Sequence, residues 1–376
     1  MIYFDHAASS PMNERSLSTL KESLLRFANP SSNHALGRPL MREIDEARAK
    51  MLKAFRLSPN DYRVIFTSSA TESNNLVIKG IAKHYSNRGR RLIVSSLEHP
   101  SVSKPFEALG KDGYDVVYLK TKDNGTVDLK DLEEKIDGKT TLVSIIGTNN
   151  ELGSINDIEA ISKIVHRFPK AYLHVDATQA LGKTDLKYGC IDLFSFSAHK
   201  FGGPKGIGGL VCKKSIVFEP SLDGGEQEYG YRSGTLNYPS IMAMSIALDE
   251  AMTKQKENLA KVSVLNAKLR EELSKNPEIS INSPSNASPY ILNFSLKSKK
   301  ASVVVEALSQ EGIYVSSVSA CSSKGEPVSS VLLAIGKDEG DARNSIRVSF
   351  GPDSTLDEVD LFVDALNSIL ERTIKR

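Results

Sequence analysis

The sequence predicts an α/β protein whose large domain has a mainly parallel, seven-stranded sheet flanked by helices, with a second, smaller α+β domain. Two observations support this prediction. Between about residues 60 and 215, short apolar segments alternate with amphipathic helical patterns, which is typical of a sheet buried on both faces. A long helical pattern at 254–274 is then followed by three further strand-like segments, which indicates the smaller unit.

Seven short apolar runs supply the strands of the large sheet. They are RVIF (63–66), RLIVSS (91–96), DVVYL (115–119), TLVSII (141–146), AYLHVDA (171–177), DLFSFS (192–197) and GGLVC (208–212). Between two of them, DIEAISKIVHRF (157–168) has apolar residues at helical spacing. The later segments YILNFSL, IYVSSV and SIRVSF predict strands of the smaller domain. We expect a large domain at 15–254 and a smaller one at 255–376, to which residues 1–14 also belong.

Composition and charge exclude several classes of protein. The chain has 376 residues, 40% of them hydrophobic, and a formal charge of +2 from 48 basic and 46 acidic residues. This balance gives no reason to expect direct binding to nucleic acid or to an anionic membrane. The N-terminus does not resemble a secretory signal, and no apolar run is long enough to span a bilayer.

The three cysteines are Cys190, Cys212 and Cys321. They are far apart and form no CxxC pair, so we expect neither a disulfide framework nor a zinc site, and no other metal site is indicated. A reduced, cytoplasmic setting is the default expectation, in which a single cysteine would act as a thiol.

Polar side chains follow five of the predicted strands. Taken alone, each has a purely structural explanation: a helix cap, a histidine hydrogen-bonded inside the fold, or a lysine exposed to solvent. In an open α/β sheet, however, ligands bind beyond the carboxyl ends of the strands, so these residues are expected to converge on one crevice. They come from TSSATESNN (67–75), Glu98-His99, Asn149-Asn150, Asp176 to Gln179 and His199-Lys200.

Pyridoxal 5′-phosphate suits this set of side chains. The amine of Lys200 can condense with its aldehyde, the carboxylate of Asp176 can pair with its pyridinium nitrogen, and a histidine ring can stack on it. A helix N-terminus with Ser and Thr hydroxyls suits its phosphate. Other nucleotide signatures fail, because the two GKT triplets do not complete GxxxxGK[ST] and no GxGxxG follows a strand.

At these residues the sequence resembles the cysteine desulfurases of the NifS/IscS type, in the class V group of fold-type I pyridoxal-phosphate enzymes. The resemblance covers nearly the whole chain. The matching blocks are YFDHAASSP (3–11), NPSSNHALGR (29–38), TSSATESNN (67–75), LEHPSV (97–102), TNNELGSINDI (148–158), HVDATQALGK (174–183), SFSAHKFGGPKGIG (195–208), RSGTLN (232–237), SACSS (319–323) and SIRVSFG (345–351).

The resemblance implies a role for each cofactor-site residue. Lys200 would hold the cofactor covalently, Asp176 would face the pyridine nitrogen, and His99 would stack on the ring and assist as an acid–base. Gln179 and Asn150 would lie near the phenolic oxygen. The phosphate would be bound by Ala70, Thr71, Ser197 and His199, together with Thr235 of the partner subunit in a homodimer.

The resemblance also implies the reaction. Arg347, with Asn33, would hold the carboxylate of L-cysteine. Cys321 would take the sulfur as a persulfide and pass it to an acceptor protein, such as a scaffold for iron–sulfur cluster assembly or a tRNA-thiolation enzyme, and alanine would be released. The alternatives are a selenocysteine lyase, another class V aminotransferase or lyase, and an inactive scaffold protein of a sulfur pathway.

Three positions depart from the family pattern. Glu226 stands where relatives have glycine and Tyr229 where they have arginine, in the segment before RSGTLN. These two changes bear on the dimer interface or the rim of the site more than on the cofactor. Ala198 stands where relatives often have Ser or Gly, which is a mild change.

Overall fold

The computed structural model describes residues 1–317 and 328–372. The strands are β1 (Ile2–Tyr3), β2 (Tyr62–Thr67), β3 (Arg91–Ser95), β4 (Asp115–Leu119), β5 (Thr140–Ile146), β6 (Tyr172–Asp176), β7 (Leu193–Ser197), β8 (Gly208–Lys213), β9 (Ile279–Ile281), β10 (Ile291–Leu296), β11 (Ile313–Tyr314), β12 (Ser316–Ser317) and β13 (Ser345–Ser349). The helices are α1 (Glu14–Leu24), α2 (Gly37–Ala54), α3 (Ala70–His84), α4 (Pro100–Lys111), α5 (Leu129–Lys135), α6 (Ile158–Val165), α7 (Tyr238–Thr253), α8 (Gln255–Ser274), α9 (Ala301–Gln310), α10 (Ser330–Ala334), α11 (Glu339–Arg343) and α12 (Leu356–Arg372).

The large sheet has seven strands in the order β2-β8-β7-β6-β5-β3-β4. Strand β8 runs antiparallel to its two neighbours, and the other pairs are parallel. The predicted α/β fold with a mainly parallel seven-stranded sheet is therefore confirmed. Because β8 lies between β2 and β7, the carboxyl ends of β2, β3, β5, β6 and β7 meet at one edge.

Both faces of this sheet are buried except at the edge strand β4, which explains why its central strands lack a solvent-exposed polar face. Along β2, Val64 and Phe66 belong to one hydrophobic cluster and Ile65 to another. Because successive strand residues point to opposite faces, this division separates the two sides. Helices α2, α6 and α7 supply the apolar partners on one side, and α3 and α4 on the other.

A separate hydrophobic cluster joins the N-terminal residues to the C-terminal part of the chain. It includes Ile2, Phe4 and Ala7, and its other buried members come from Val262 onward. Its four-stranded antiparallel sheet has the order β12-β13-β10-β9, and β1 pairs in parallel with β11. The predicted boundary at residue 254 falls between α7 and α8, and the division into two domains stays a prediction.

Residues 313–317, the described part of the segment IYVSSV, form two short strands that belong to different sheets. Ile313 and Tyr314 pair with β1, whereas Ser316 and Ser317 pair with β13. The chain therefore passes from one sheet to the other at Val315, and an apolar sequence pattern alone does not indicate this change of pairing strand. Across residues 1–317 and 328–372, no helix is long and apolar enough to cross a membrane.

Candidate active site

A cavity of about 480 Å³ lies at the carboxyl edge of the large sheet. Residues that follow β2, β3, β5, β6 and β7 line it, together with residues from the N-terminal segment, β12 and β13. Ten residues predicted for the site line this cavity: Ala70, Thr71, His99, Asn150, Asp176, Gln179, Ser197, His199, Lys200 and Arg347. The convergence expected from the strand ends is therefore present.

Lys200 reaches across the cavity to the N-terminal segment. A 3₁₀ turn at Ala198–Lys200 follows β7 and places the lysine at the strand end. Its Nζ donates to the carbonyl oxygens of Ala7 at 2.8 Å and Ala8 at 2.7 Å. The Ala7 N–H in turn donates to Ser349 Oγ at 2.9 Å. The amine is therefore held at a defined position by backbone that the C-terminal sheet supports.

A hydrogen-bonded network connects the buried carboxylate of Asp176 to His99. Asn74 Nδ2 donates to Asp176 Oδ2 at 3.0 Å and to Ser101 Oγ at 2.9 Å. The second carboxylate oxygen accepts the N–H of Thr178 at 3.0 Å. Because the carboxylate only accepts, the orientation of the Asn74 amide is fixed by this contact. The network holds Asp176 rigidly at the floor of the cavity.

The same network determines which nitrogen of neutral His99 carries the proton. Ser101 Oγ accepts from Asn74, so its own proton is available to His99 Nδ1, 2.8 Å away. The Ser101 N–H also donates to Nδ1, at 3.1 Å. Nδ1 is thus an acceptor and Nε2 carries the proton. Desolvation by the surrounding protein lowers the pKa of His99, and nearby Lys200 lowers it further, although Asp176 acts in the opposite direction.

The start of α3 offers an anion-binding end. Ser69 is the N-cap, and its Oγ accepts the Glu72 N–H at 3.3 Å. The Ala70 N–H donates to Ser197 Oγ at 2.7 Å, so the hydroxyl proton of Ser197 is left for another acceptor. His199 lines the same cavity as Ser197. Burial, and then the charge of Lys200, lowers the pKa of His199 to about 4. A helix N-terminus with free hydroxyls suits a phosphate.

Arg347, on β13, also lines the cavity. Its Nη1 donates to the Asn150 carbonyl at 2.9 Å, and its Nη2 donates to Asp5 Oδ1 at 2.8 Å. Its buried Nε has no hydrogen-bond partner among residues 1–317 and 328–372. The guanidinium is positioned by these two hydrogen bonds and keeps further N–H donors, so it can bind a carboxylate.

Two buried carboxyl groups lie close to the site. Burial raises the pKa of Glu98 to about 8, although Ser95 Oγ and the Ile146 N–H both donate to its Oε1. Burial also raises the pKa of Glu151, which accepts a hydrogen bond from Ser329 Oγ at 2.6 Å. Glu98 therefore adds no full negative charge near Asp176 at neutral pH.

These residues fit pyridoxal 5′-phosphate. Lys200 supplies the amine, the start of α3 and Ser197 suit the phosphate, and the carboxylate of Asp176 suits a protonated ring nitrogen. The Thr178 hydroxyl is buried at the cavity and has no partner in the described part of the chain, which leaves a polar atom for a ligand. The site therefore has a polar group for each charged part of the cofactor.

Several predicted residues do not line this cavity. Asn33 and Thr235 are exposed elsewhere on the surface. Their roles, which for Thr235 need a partner subunit, stay predictions. Cys321 lies outside the described residues. Glu226 and Tyr229 line a different surface cavity of about 660 Å³. At the second departure, the Arg48 guanidinium lies over the Tyr229 ring, 5.2 Å from the ring centroid.

The sequence analysis did not single out Asp5, Asn74, Ser101 or the carbonyl of Ala7. Asn74 and Ser101 lie inside the matching blocks, and Asn74 is one helical turn after Ala70, so helical spacing could have indicated its direction. No sequence signal marks a backbone carbonyl such as that of Ala7.

Comparison with known proteins agrees with this geometry. A family described as aminotransferase class-V matches residues 2–362. A cysteine desulfurase IscS from Dictyoglomus turgidum is 36% identical, covering 99% of this chain and 95% of that protein. The structure of a NifS-like protein superposes with a TM-score of 0.92 at 34% identity, covering 98% and 99% of the two chains. A structure of SspA in complex with cysteine has a TM-score of 0.80 at 33% identity, covering 94% and 100%. The chain belongs to the class-V aminotransferase family.

Proposed function

We propose that the protein is a pyridoxal-phosphate-dependent cysteine desulfurase, which converts L-cysteine to L-alanine and transfers the sulfur to Cys321. The observation that carries this proposal is that one cavity holds Lys200, Asp176, His99 and Arg347. Relatives with full-length similarity support the reaction, since the Dictyoglomus turgidum protein is named a cysteine desulfurase and SspA was solved with cysteine.

When bound, the cofactor supplies an electron sink for the α-carbon of an amino acid. The protein residues then have separate tasks. Arg347 binds the substrate carboxylate, and Asp176 keeps the ring nitrogen protonated. Lys200 moves a proton at the α-carbon. His99, neutral with its proton on Nε2, can donate that proton inside the cavity.

The sulfur-transfer step is assigned to Cys321 from the sequence. Its thiolate attacks the sulfur of the substrate, so an S–S bond forms and the substrate's C–S bond breaks. The electron pair of the broken bond stays with the carbon, which takes up the proton that the substrate thiol gave up. The products are alanine and a persulfide on Cys321, and a thiol reductant or an acceptor protein then removes the outer sulfur.

A homodimer is part of the same proposal. Leu24, Leu25 and Phe27, at the end of α1 and just after it, are 62%, 82% and 86% exposed. Large apolar side chains grouped on a surface are typical of a protein interface, and a second copy of the chain is the partner expected here. Light scattering of the purified protein measures the mass. The sulfur acceptor and a cytoplasmic location stay predictions.

The experiment that tests the function measures alanine and sulfide released from L-cysteine by cofactor-loaded protein, with and without a dithiol. Equal amounts of the two products are expected in the presence of the dithiol. Lys200→Ala is the inactive control, and borohydride treatment should attach the cofactor to wild-type Lys200 alone. A loaded wild-type protein that forms neither product contradicts the proposal, and selenocysteine and keto acids are then the substrates to test.

A further inference from the structure

Lys183 is a buried lysine to which the proposed reaction gives no task. It is 8% exposed and lies in the turn that follows β6. Gly182 makes this turn possible with a φ of +71°, and a Cβ there would lie 2.9 Å from the Ala251 Cβ on α7. The Lys183 N–H donates to the Ala180 carbonyl at 3.0 Å. The backbone of Lys183 is therefore held in place, and its side chain reaches Gln179, which lines the active-site cavity.

The side chain ends at Gln179. Lys183 Nζ donates to Gln179 Oε1 at 2.9 Å, and within the described ranges no other hydrogen-bond acceptor is found for it. On the other side, Gln179 Nε2 donates to the Ala7 carbonyl at 2.8 Å. This is the same carbonyl that accepts from Lys200 Nζ. Lys183 is thus connected to Lys200 through one amide group and one carbonyl.

Both contacts of Gln179 favour the same orientation of its amide when Lys183 is protonated. A protonated lysine has donors and no acceptor, and a backbone carbonyl accepts and cannot donate. If the amide were reversed, its NH₂ group would face the ammonium and its oxygen would face the carbonyl. Both hydrogen bonds would be replaced by repulsion between like partial charges, and the buried polar groups would be left without partners.

The surroundings explain why a lysine tolerates this position. Burial, together with the positive charges of Lys200 and Arg347, lowers the pKa of Lys183 to about 7. Two other groups sense its charge, since it lowers the pKa of both His6 and His199. The ring of Tyr290 lies 5.8 Å from Nζ and partly compensates for lost water. Burial of the Lys183 ammonium is energetically unfavourable, and its hydrogen bond to Gln179 is the contact that explains its position.

We propose that Lys183 is a positioning residue, which fixes the Gln179 amide so that its NH₂ group, and not its oxygen, faces the cavity. The family resemblance implies that the cofactor's phenolic oxygen lies near Gln179, where an N–H donor suits it and a reversed amide would present an acceptor. The inference rests on cofactor binding, which the proposed function shares, and not on the sulfur chemistry.

The test is a spectroscopic pH titration of cofactor-loaded protein without substrate. The readout is the pH midpoint at which the visible absorption band of the bound cofactor changes. Lys183→Met removes the donor that orients Gln179, so the phenolic oxygen loses its fixed hydrogen bond. Because that hydrogen bond stabilises the deprotonated cofactor, its loss raises the pKa of the bound cofactor. We expect the midpoint to rise by about one pH unit.

A second variant separates orientation from charge. Lys183→Gln is neutral but can still donate an N–H to Gln179 Oε1. We expect its midpoint to stay within about 0.3 units of wild type, given the roughly one-unit effect of the lost hydrogen bond. Equal shifts in the Met and Gln variants would mean that charge alone acts, and would overturn the proposal. Lys187→Met is the matched control, because Lys187 is exposed and pairs with Asp185.

Gln179→Leu tests the path of the effect and remains decisive if Lys183→Met fails to fold. It should raise the midpoint as Lys183→Met does, and Lys183→Met should add nothing in the Gln179→Leu background. An unchanged midpoint in Gln179→Leu, or an additive shift in the double variant, contradicts the proposal. Circular dichroism and thermal unfolding confirm that each variant is folded. Because no substrate is present, failure of the desulfurase assay leaves this result intact.

Discussion

Glu228 and Arg48 form a buried, bidentate ion pair against the backbone of β2. Nη1 of the arginine lies 2.9 Å from one carboxylate oxygen and Nη2 lies 2.7 Å from the other. Glu228 also accepts the N–H of Phe66, at 2.7 Å, near the end of β2. The pair therefore ties α2 and the surface segment around Glu228 to the strand that leads into Ser69.

Replacing Glu228 with Gln should destabilise the protein by about 3 kcal/mol, because Arg48 keeps a buried charge without its counter-ion. The measurement is the free energy of unfolding in urea, monitored by circular dichroism. Glu159→Gln is the matched control, since its pair with Lys163 is exposed and contributes about 0.5 kcal/mol at most. A loss below about 1 kcal/mol in Glu228→Gln would show that the buried pair is not a main contributor.

Replacing Gly208 with Ala should weaken cofactor binding at least about tenfold, or about 1.4 kcal/mol. A Cβ at this position would lie 2.5 Å from the Phe196 carbonyl oxygen and 2.7 Å from the backbone carbon of Ser69. Ser69 would have to move, and the start of α3 would move with it. Equilibrium binding of pyridoxal phosphate to the apoprotein measures the effect. Gly189→Ala serves as control, because nothing lies within 4 Å of its Cβ; equal affinities of the two variants would refute the prediction.

Acid should destabilise the protein between pH 6.5 and 4. His174 is fully buried between Ser144 Oγ and Ser195 Oγ, and burial lowers its pKa to about 4. The folded state holds it neutral while the unfolded chain takes up a proton near pH 6.5. Its contribution is therefore complete above pH 6.5 and falls as the pH drops toward 4, by up to about 3 kcal/mol.

Urea unfolding at several pH values measures this acid dependence. His6 and His199 act in the same direction, since burial lowers the pKa of each to about 4. The variant His174→Gln should lose stability less steeply below pH 6.5, because it has no proton to take up on unfolding. A wild-type stability that is constant from pH 7 to 4.5 would rule out these histidines as the cause of acid sensitivity.

Replacing Cys321 with Ala should keep the cofactor's absorption band and abolish persulfide formation. The other two cysteines are poor nucleophiles, because burial raises the pKa of Cys190 and raises that of Cys212 to about 12. Cys190→Ala, the control, should form the persulfide as wild type does. Mass spectrometry after one turnover with L-cysteine locates the added sulfur, and unchanged sulfide release by the Cys321→Ala variant would remove Cys321 from the mechanism.

The sequence predicted the large sheet almost strand by strand, because buried parallel strands are short, apolar and separated by helices. It also placed Lys200, Asp176 and His99 at one edge, because strand ends of parallel strands coincide there. It did not predict the contacts that orient these residues. Asn74 meets Asp176 across 102 residues of chain, and Gln179 meets the Ala7 carbonyl across 172.

Such contacts depend on how the helices and the N-terminal segment pack, and no local pattern records a partner that far away. The same reason explains why Lys183 had no assigned role before the structure. In the sequence, Lys183 is indistinguishable from other lysines that follow a strand. Only its burial and its hydrogen bond to Gln179 distinguish it. Residues that act through a second side chain are thus the part of the site that sequence patterns describe least.

The ion pair between Asp5 and Arg347 joins residues that are 342 positions apart. During synthesis, the first of them leaves the ribosome long before the second is made. The large sheet can form while translation continues, but the wall of the cavity that contains Arg347 cannot. The complete site therefore exists only after Arg347 has emerged, so binding of the substrate carboxylate must follow synthesis of both ends of this ion pair.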